Sequence, residues 1–161
     1  MRYREIVNSS LADVTVDTVL ARLMKAEKDI ANSKLLEELK RLKGRPDEAF
    51  LEMLAGQISK AKRGLEFWLE KPTPLYRGMS RPPKGSAGVH WTTALRAAKQ
   101  HGVYLMRMRP CPNFVDWDGT VIRRISWEFE MEIKLIPKSP LVIARLAKDG
   151  VVLASNLKLR A

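Results

Sequence analysis

Three short stretches carry side chains that could do chemistry together. In "TPLYRGMS", residues 73–80, Arg77 ends a short apolar run and directly precedes Gly78. A guanidinium is a rigid fork of donors that matches phosphate or carboxylate oxygens at two points, and a glycine behind it lets a backbone or a ligand come close. In "VHWTTALRAAKQHG", residues 89–102, an extended run ends in Thr92 and Thr93 and opens into a helix. His90, Trp91 and two hydroxyls thus converge on a helix N-terminus, a common place for anions and amides. In "SWEFEMEIKLIP", residues 126–137, Trp127, Phe129, Met131 and Ile133 alternate with Glu128, Glu130 and Glu132. Read as a strand, this alternation puts three carboxylates on one face. An anion clamp, a pair of hydroxyls and a carboxylate able to stabilise positive charge or accept a proton make a plausible chemical set.

Each stretch also has a plainer explanation. A strand arginine commonly covers a sheet edge or pairs with an acid. Threonines before a helix are natural N-caps, and either Thr92 or Thr93 is placed to serve. A strand of alternating glutamates forms a solvated outer face, its repulsion relieved by Arg123, Arg124 or Lys134. Large aromatics such as Tyr76 and Trp91 are core residues more often than ligand platforms.

The elements that must position these residues follow from periodicity. From Val14 to about Glu70 the pattern is helical: Val16, Val19, Leu20, Leu23 and Met24 recur at three- and four-residue spacing, followed by Leu35, Leu36, Leu39 and Leu42. Asn32-Ser33 reads as a break or cap, and Gly44-Arg45-Pro46-Asp47 as a stop and restart, after which a helix runs from Asp47 through Trp68, so three helices are expected, or two with a kink near Asn32. Pro72 and Pro74 end this regime. Beyond them one short helix is expected at Ala94 to His101. Strands are expected at residues 102–108, 113–117, 121–125 and 127–136, and a hairpin with its turn in "LAKDG" joins "LVIAR" to "VVLAS". The expectation is an α+β single domain over 1–161, with a helical portion at 1–71 packed on a mixed or antiparallel β-rich core at 72–161.

The chain of 161 residues is 45% apolar and 29% charged, ordinary for a globular protein, but its formal charge is +11. Residues 1–71 hold 14 basic and 12 acidic side chains, whereas residues 72–161 hold 15 and 6. The second half makes the positive field, which favours nucleic acid, a polyphosphate or an acidic protein surface. A lone cysteine, Cys111, excludes an internal disulfide and argues against a structural zinc site. The N-terminal residues lack an apolar leader, and no stretch reaches membrane-spanning length, so a cytoplasmic protein is expected. Phosphate-binding glycine loops, HExxH and CxxC are all missing from the sequence.

Taken in order, the three stretches resemble the mono-ADP-ribosyltransferase superfamily of the arginine, serine or threonine, glutamate type. In that family an arginine ends the first core strand, a Ser/Thr motif ends a second strand before a helix, and a glutamate, often within E-x-E, lies on a later strand. The matching positions are Arg77 in "LYRG", Thr92-Thr93 in "HWTTALRAA" and Glu132 in "EMEIKLIP", within about residues 75–143. Thr93 stands where a serine is commoner, and the proline follows Glu132 one residue later than in many relatives, which keeps Glu130 open as the key carboxylate.

The resemblance implies an ADP-ribosyltransferase-like β core and NAD as co-substrate. ADP-ribose would pass to a macromolecular acceptor, an acidic protein or nucleic-acid-associated machinery, with release of nicotinamide. It implies Glu132 and Glu130 as catalytic carboxylates, Glu132 stabilising positive charge on the ribose and Glu130 orienting the acceptor. Arg77, Tyr76, Gly78, His90, Trp91, Thr92 and Thr93 would surround NAD, Arg77 on the diphosphate or adjoining ribose, and no metal is implied. Small transferases of this kind are used by phages to modify host machinery in the host cytoplasm. Two alternatives stay open: an RNA 2'-phosphotransferase-like NAD enzyme of the same superfamily, and a non-enzymatic basic module. The latter would bind phosphates through Lys84, Arg96, Lys99, Arg107, Arg109, Arg123 and Arg124.

Overall fold

The computed structural model describes residues 10–161 apart from residues 26, 29, 31 and 32. In chain order its elements are α1 (Val16–Met24), α2 (Lys34–Arg41), α3 (Glu48–Glu70), β1 (Leu75–Met79), β2 (His90–Thr92), α4 (Leu95–Lys99), β3 (Tyr104–Met108), α5 (Trp117–Ser126), β4 (Glu132–Lys134), β5 (Val142–Lys148) and β6 (Val151–Leu159). The chain is α+β, with five α-helices and a six-stranded antiparallel sheet among the described residues. No helix among them is long and apolar enough to cross a membrane. Internal contacts divide the chain into two compact units, one running to Glu70 and including Asp116–Glu128, the other made of Lys71–Val115 and Phe129–Ala161.

In the helical unit the first of the two expected arrangements forms, three separate helices up to Glu70, each started by a side-chain cap. Thr15 and Thr18 make a reciprocal capping box on α1. The Ser33 hydroxyl accepts from Leu36 N at the start of α2, and Asp47 accepts from Phe50 N at the start of α3. Ser33 is therefore the cap read from the sequence, while Asn32 lies outside the described residues.

The fourth helix of this unit corrects the sequence reading. Residues 113–117 and 121–125, expected as strands, are a 3-10 turn at Pro112–Phe114 followed by α5. Asp116 caps α5 by accepting from Gly119 N, Asp118 sits in the first turn and Arg123 and Arg124 in the last, all complementary to the helix dipole. Packing of α5 on α1, α2 and α3 then overrides the strand propensity of Val121 and Ile122, both fully buried. The β-rich portion is consequently interrupted by a helical segment at 116–128.

Asp116 also fastens α5 to α1. Arg22 grips it in two-point fashion, Nη1 to Oδ1 at 2.6 Å and Nη2 to Oδ2 at 2.8 Å, and Nη2 also reaches Glu27 at 2.7 Å. Burial alone would favour a neutral guanidinium, but Asp116 and then Glu27 hold it firmly charged.

Nearby, Asp118 is buried and accepts from the Thr18 hydroxyl at 2.8 Å. Burial pushes its pKa up to about 6, against the opposing Thr18 hydrogen bond and the charge of Arg22. With the folded pKa above that of an unfolded carboxylate, the fold prefers the neutral acid. Stability contributed below about pH 4 is lost as pH rises toward 6. Asp118→Asn is expected to be about 1–3 kcal/mol more stable than the parent at pH 7, with the gap closing near pH 4. Urea titrations at the two pH values read this; a gap that widens on acidification contradicts it.

The sheet unit has strand order β4-β2-β1-β3-β5-β6, every neighbouring pair antiparallel. Alternation along β5 is clean, with Val142, Ala144 and Leu146 buried and Ile143 and Arg145 exposed. The register carries the buried face across to Met106, Met108 and Leu75. The expected hairpin turn forms at Asp149-Gly150, where both residues have positive φ (49° and 82°), as a two-residue turn of matching twist requires.

The long strand expected over 127–136 is the second correction. Trp127 ends α5, with the Arg123 guanidinium stacked 4.2 Å from its ring centroid. Glu128–Glu130 form a 3-10 turn, Met131 has φ 45°, and only Glu132–Lys134 pair as a strand. A helix end and a reversal occupy the segment whose composition alternates, so its glutamates do not share one sheet face.

Candidate active site on three adjacent strands

β2 lies between β1 and β4, and the register aligns Tyr76 with Thr92 and Thr92 with Glu132. His90 faces Lys134 and Trp91 faces Ile133. Residues directly opposite share a face, so Tyr76, His90, Thr92, Glu132 and Lys134 stand on one side and Trp91 and Ile133 on the other. Trp91 is only 1% exposed and donates its indole N–H to Gly88 O at 3.0 Å. It is a core side chain, not a surface for nicotinamide.

Glu132 is the buried carboxylate of the group. Its Oε2 pairs with His90 Nδ1; the glutamate side chain is 5% exposed and the histidine 34%. A carboxylate taken from water needs such a partner, and His90 in turn fixes its direction.

Glu130 is held differently. Its side chain is 40% exposed and its Oε2 lies 3.2 Å from His101 Nε2. The positive φ at Met131 separates the two acids, sending Glu132 inward and leaving Glu130 outward.

The threonines staple this reversal to the end of β2. Thr92 Oγ1 donates to Glu130 O at 2.5 Å and accepts from Ala94 N at 3.0 Å, while Thr93 N donates to Met131 O at 3.2 Å. Neither threonine is the N-cap of α4: that position is Ala94, without a side-chain cap. The Thr92 hydroxyl is committed to the glutamate-bearing turn.

Arg77 stands one step out of phase, opposite Met106, so alternation starts its side chain on the other face from Thr92. Its guanidinium nevertheless meets β2, Nη1 donating to His90 O at 2.7 Å, and its Nε is buried without a hydrogen-bond partner. Burial favours a neutral guanidinium, and the charge of Glu132 acts in the opposite sense to hold the proton. Space for the group comes from Gly88 (φ 82°), where an added Cβ would lie 2.6 Å from Arg77 Cζ. Gly78 serves backbone packing: a Cβ there would meet Ala98 O of α4 at 1.7 Å.

Compared with protein-family models, curated proteins and solved structures, the chain matches none.

The geometry pairs His90 with Glu132, sets Thr92 opposite Glu132 across the strands, and ties Arg77 to the same strand through a backbone oxygen. Tyr76 is half-buried beside Thr92, and Thr93 contributes through its backbone. Two participants escaped the sequence reading. His101, the partner of Glu130, lies 29 positions away with no local signal. Gly88, just before β2, could have been suspected, since an isolated glycine beside a strand marks close approach by another group.

Proposed function

We propose that the chain is an NAD-dependent mono-ADP-ribosyltransferase with an ADP-ribosyltransferase-like core, transferring ADP-ribose to a macromolecular acceptor and releasing nicotinamide. The observation that carries the reading is one of topology. The arginine, threonine and glutamate stretches, scattered from Arg77 to Glu132, lie on β1, β2 and β4, which are neighbours in the sheet.

Arg77 fits the diphosphate or adjoining ribose of NAD, because its Nε is a buried donor with no partner, on a guanidinium against which Gly88 packs without a side chain. NAD supplies the ADP-ribosyl group and the nicotinamide leaving group. Glu132 presents negative charge from a site largely shielded from water, where it acts on developing positive charge more strongly than it would in solvent. His90 is the positioning residue for that carboxylate, through Nδ1 to Oε2. Glu130, more exposed and beside His101, is placed to orient the acceptor or take its proton. Thr92 holds the turn that carries both acids.

Nicotinamide release by the purified protein tests the reading, and its absence with added NAD and cell extract contradicts it. Arg77→Lys is expected to raise the Kd for NAD about tenfold or more, since lysine offers a point charge without the planar fork. Calorimetric titration reads the change; an unaltered Kd removes Arg77 from the NAD site.

A further inference from the structure

The formal charge is not shared between the two units. Lys71–Val115 and Phe129–Ala161 hold 14 basic and 3 acidic side chains, the whole net +11, while the helical unit holds 15 of each. Of those three acids, Glu132 is engaged by His90 and Glu130 by His101, and Asp149 sits in the β5–β6 turn. The arginines on the outer face of the sheet therefore lack carboxylate partners within their own unit.

Three of them, Arg107, Arg109 and Arg145, line a cleft of about 560 Å³ together with Ile143, Ser155 and Asn156. Among the described residues none of the three guanidinium groups makes an ion pair or hydrogen bond. Arg107 and Arg145 stand directly opposite each other on β3 and β5. Like charges in that position repel, and a shared anion relieves them. The register continues the row from Arg145 to Arg107, Tyr76, Thr92 and Glu132 across five strands.

We propose that this cleft docks the phosphate backbone of a single-stranded nucleic acid. Arginine, serine and asparagine side chains are the donors that phosphates take in nucleic-acid interfaces. Exposed Ile143 (54%) and the neighbouring Leu141 (49%) offer aliphatic surface to sugars and base faces. An extended acidic peptide cannot add as a strand beside Arg107 and Arg145, because β3 and β5 are interior strands; of the strands lining the cleft only β6, which supplies Ser155 and Asn156, is an edge strand, and polyglutamate is therefore the competing ligand in the test. Docking needs no NAD chemistry; only its link to Glu132, along the shared row, rests on the reading above.

The test is fluorescence anisotropy without NAD, using labelled twelve-nucleotide oligo-dT and oligo-U and a labelled polyglutamate of similar charge. Binding of either oligonucleotide is expected, with a log K against log salt slope near −2 for about three phosphates, and polyglutamate at least about tenfold weaker. The ratio of the two oligonucleotide affinities identifies DNA or RNA as the source of the phosphates. Combined Arg107→Gln and Arg145→Gln should weaken binding about tenfold and flatten the slope by about 1.4, with a melting temperature equal to or above the parent's. Combined Arg81→Gln and Lys148→Gln, which removes the same charge from exposed positions of the same unit outside the cleft, should bind nearly as the parent does. Polyglutamate binding as tightly as the oligonucleotides, equal losses in the two double variants, or no loss on changing the arginines would each overturn the proposal. None of these outcomes bears on nicotinamide release.

Discussion

Glu132→Gln is expected to lower nicotinamide release by about 10²–10³-fold while leaving the protein folded, because it removes the charge and keeps the shape. The carboxylate is buried and paired with His90, so its charge is largely shielded from bulk water. Glutamine still offers an oxygen to His90, and a neutral amide is easier to bury than an ion, so the melting temperature should hold. Glu130→Gln provides the contrast. Its carboxylate is half-exposed beside His101, and its main contribution to the fold, the carbonyl that accepts from Thr92, is untouched by the change. That variant should retain most nicotinamide release and lose transfer to an acceptor. Rates from the two variants that fall together would deny the division of labour between the acids, and a Glu132→Gln rate equal to the parent's would remove Glu132 from the chemistry.

Gly78→Ala should have the largest effect on stability. The new methyl group would lie 1.7 Å from Ala98 O and 2.7 Å from its carbonyl carbon, both backbone atoms that no rotamer change can move aside. α4 would have to lift from β1, exposing the buried Ala97 and Ala98. A loss of more than about 4 kcal/mol is expected, which for a chain of this size lowers the melting temperature by roughly 8–16 °C. A melting temperature within a degree or two of the parent's would contradict the packing of α4 on β1.

Much of the scaffold was legible because local signals and tertiary packing agree there. The leucine spacing from α1 to α3, the restart at Asp47, the strand at "YLMRM" and the Asp149-Gly150 hairpin each carry a period or a turn residue that packing does not oppose. Between Pro112 and Met131 local signals and packing disagree. β-Branched residues at 121–122 suggested a strand, and a perfect two-residue alternation at 127–133 suggested another, yet Asp116 capping α5 and the salt link from Arg22 decide the conformation. The cap followed by Asp118 and, a turn later, Arg123-Arg124 was the available helix signal, weaker to the eye than the apolar pattern.

At the candidate site the residue types were legible and their arrangement was not. Thr92 was placed at a strand end, yet its hydroxyl binds the Glu130 carbonyl instead of capping a helix. Trp91 proved to be core, and the two glutamates were separated by a positive φ that composition does not encode. Which carboxylate is buried is settled by long-range pairing with His90, 42 positions earlier, and no window of local sequence contains it.

Incubating the purified protein with NAD labelled in its adenylate portion and a bacterial lysate, then following both label and nicotinamide, tests ADP-ribose transfer through Glu132. Transfer of label to a macromolecular fraction, with an equal amount of nicotinamide released and neither seen with Glu132→Gln, is the predicted result. A folded parent protein that releases no nicotinamide and transfers no label, or a Glu132→Gln variant that transfers as the parent does, would contradict it.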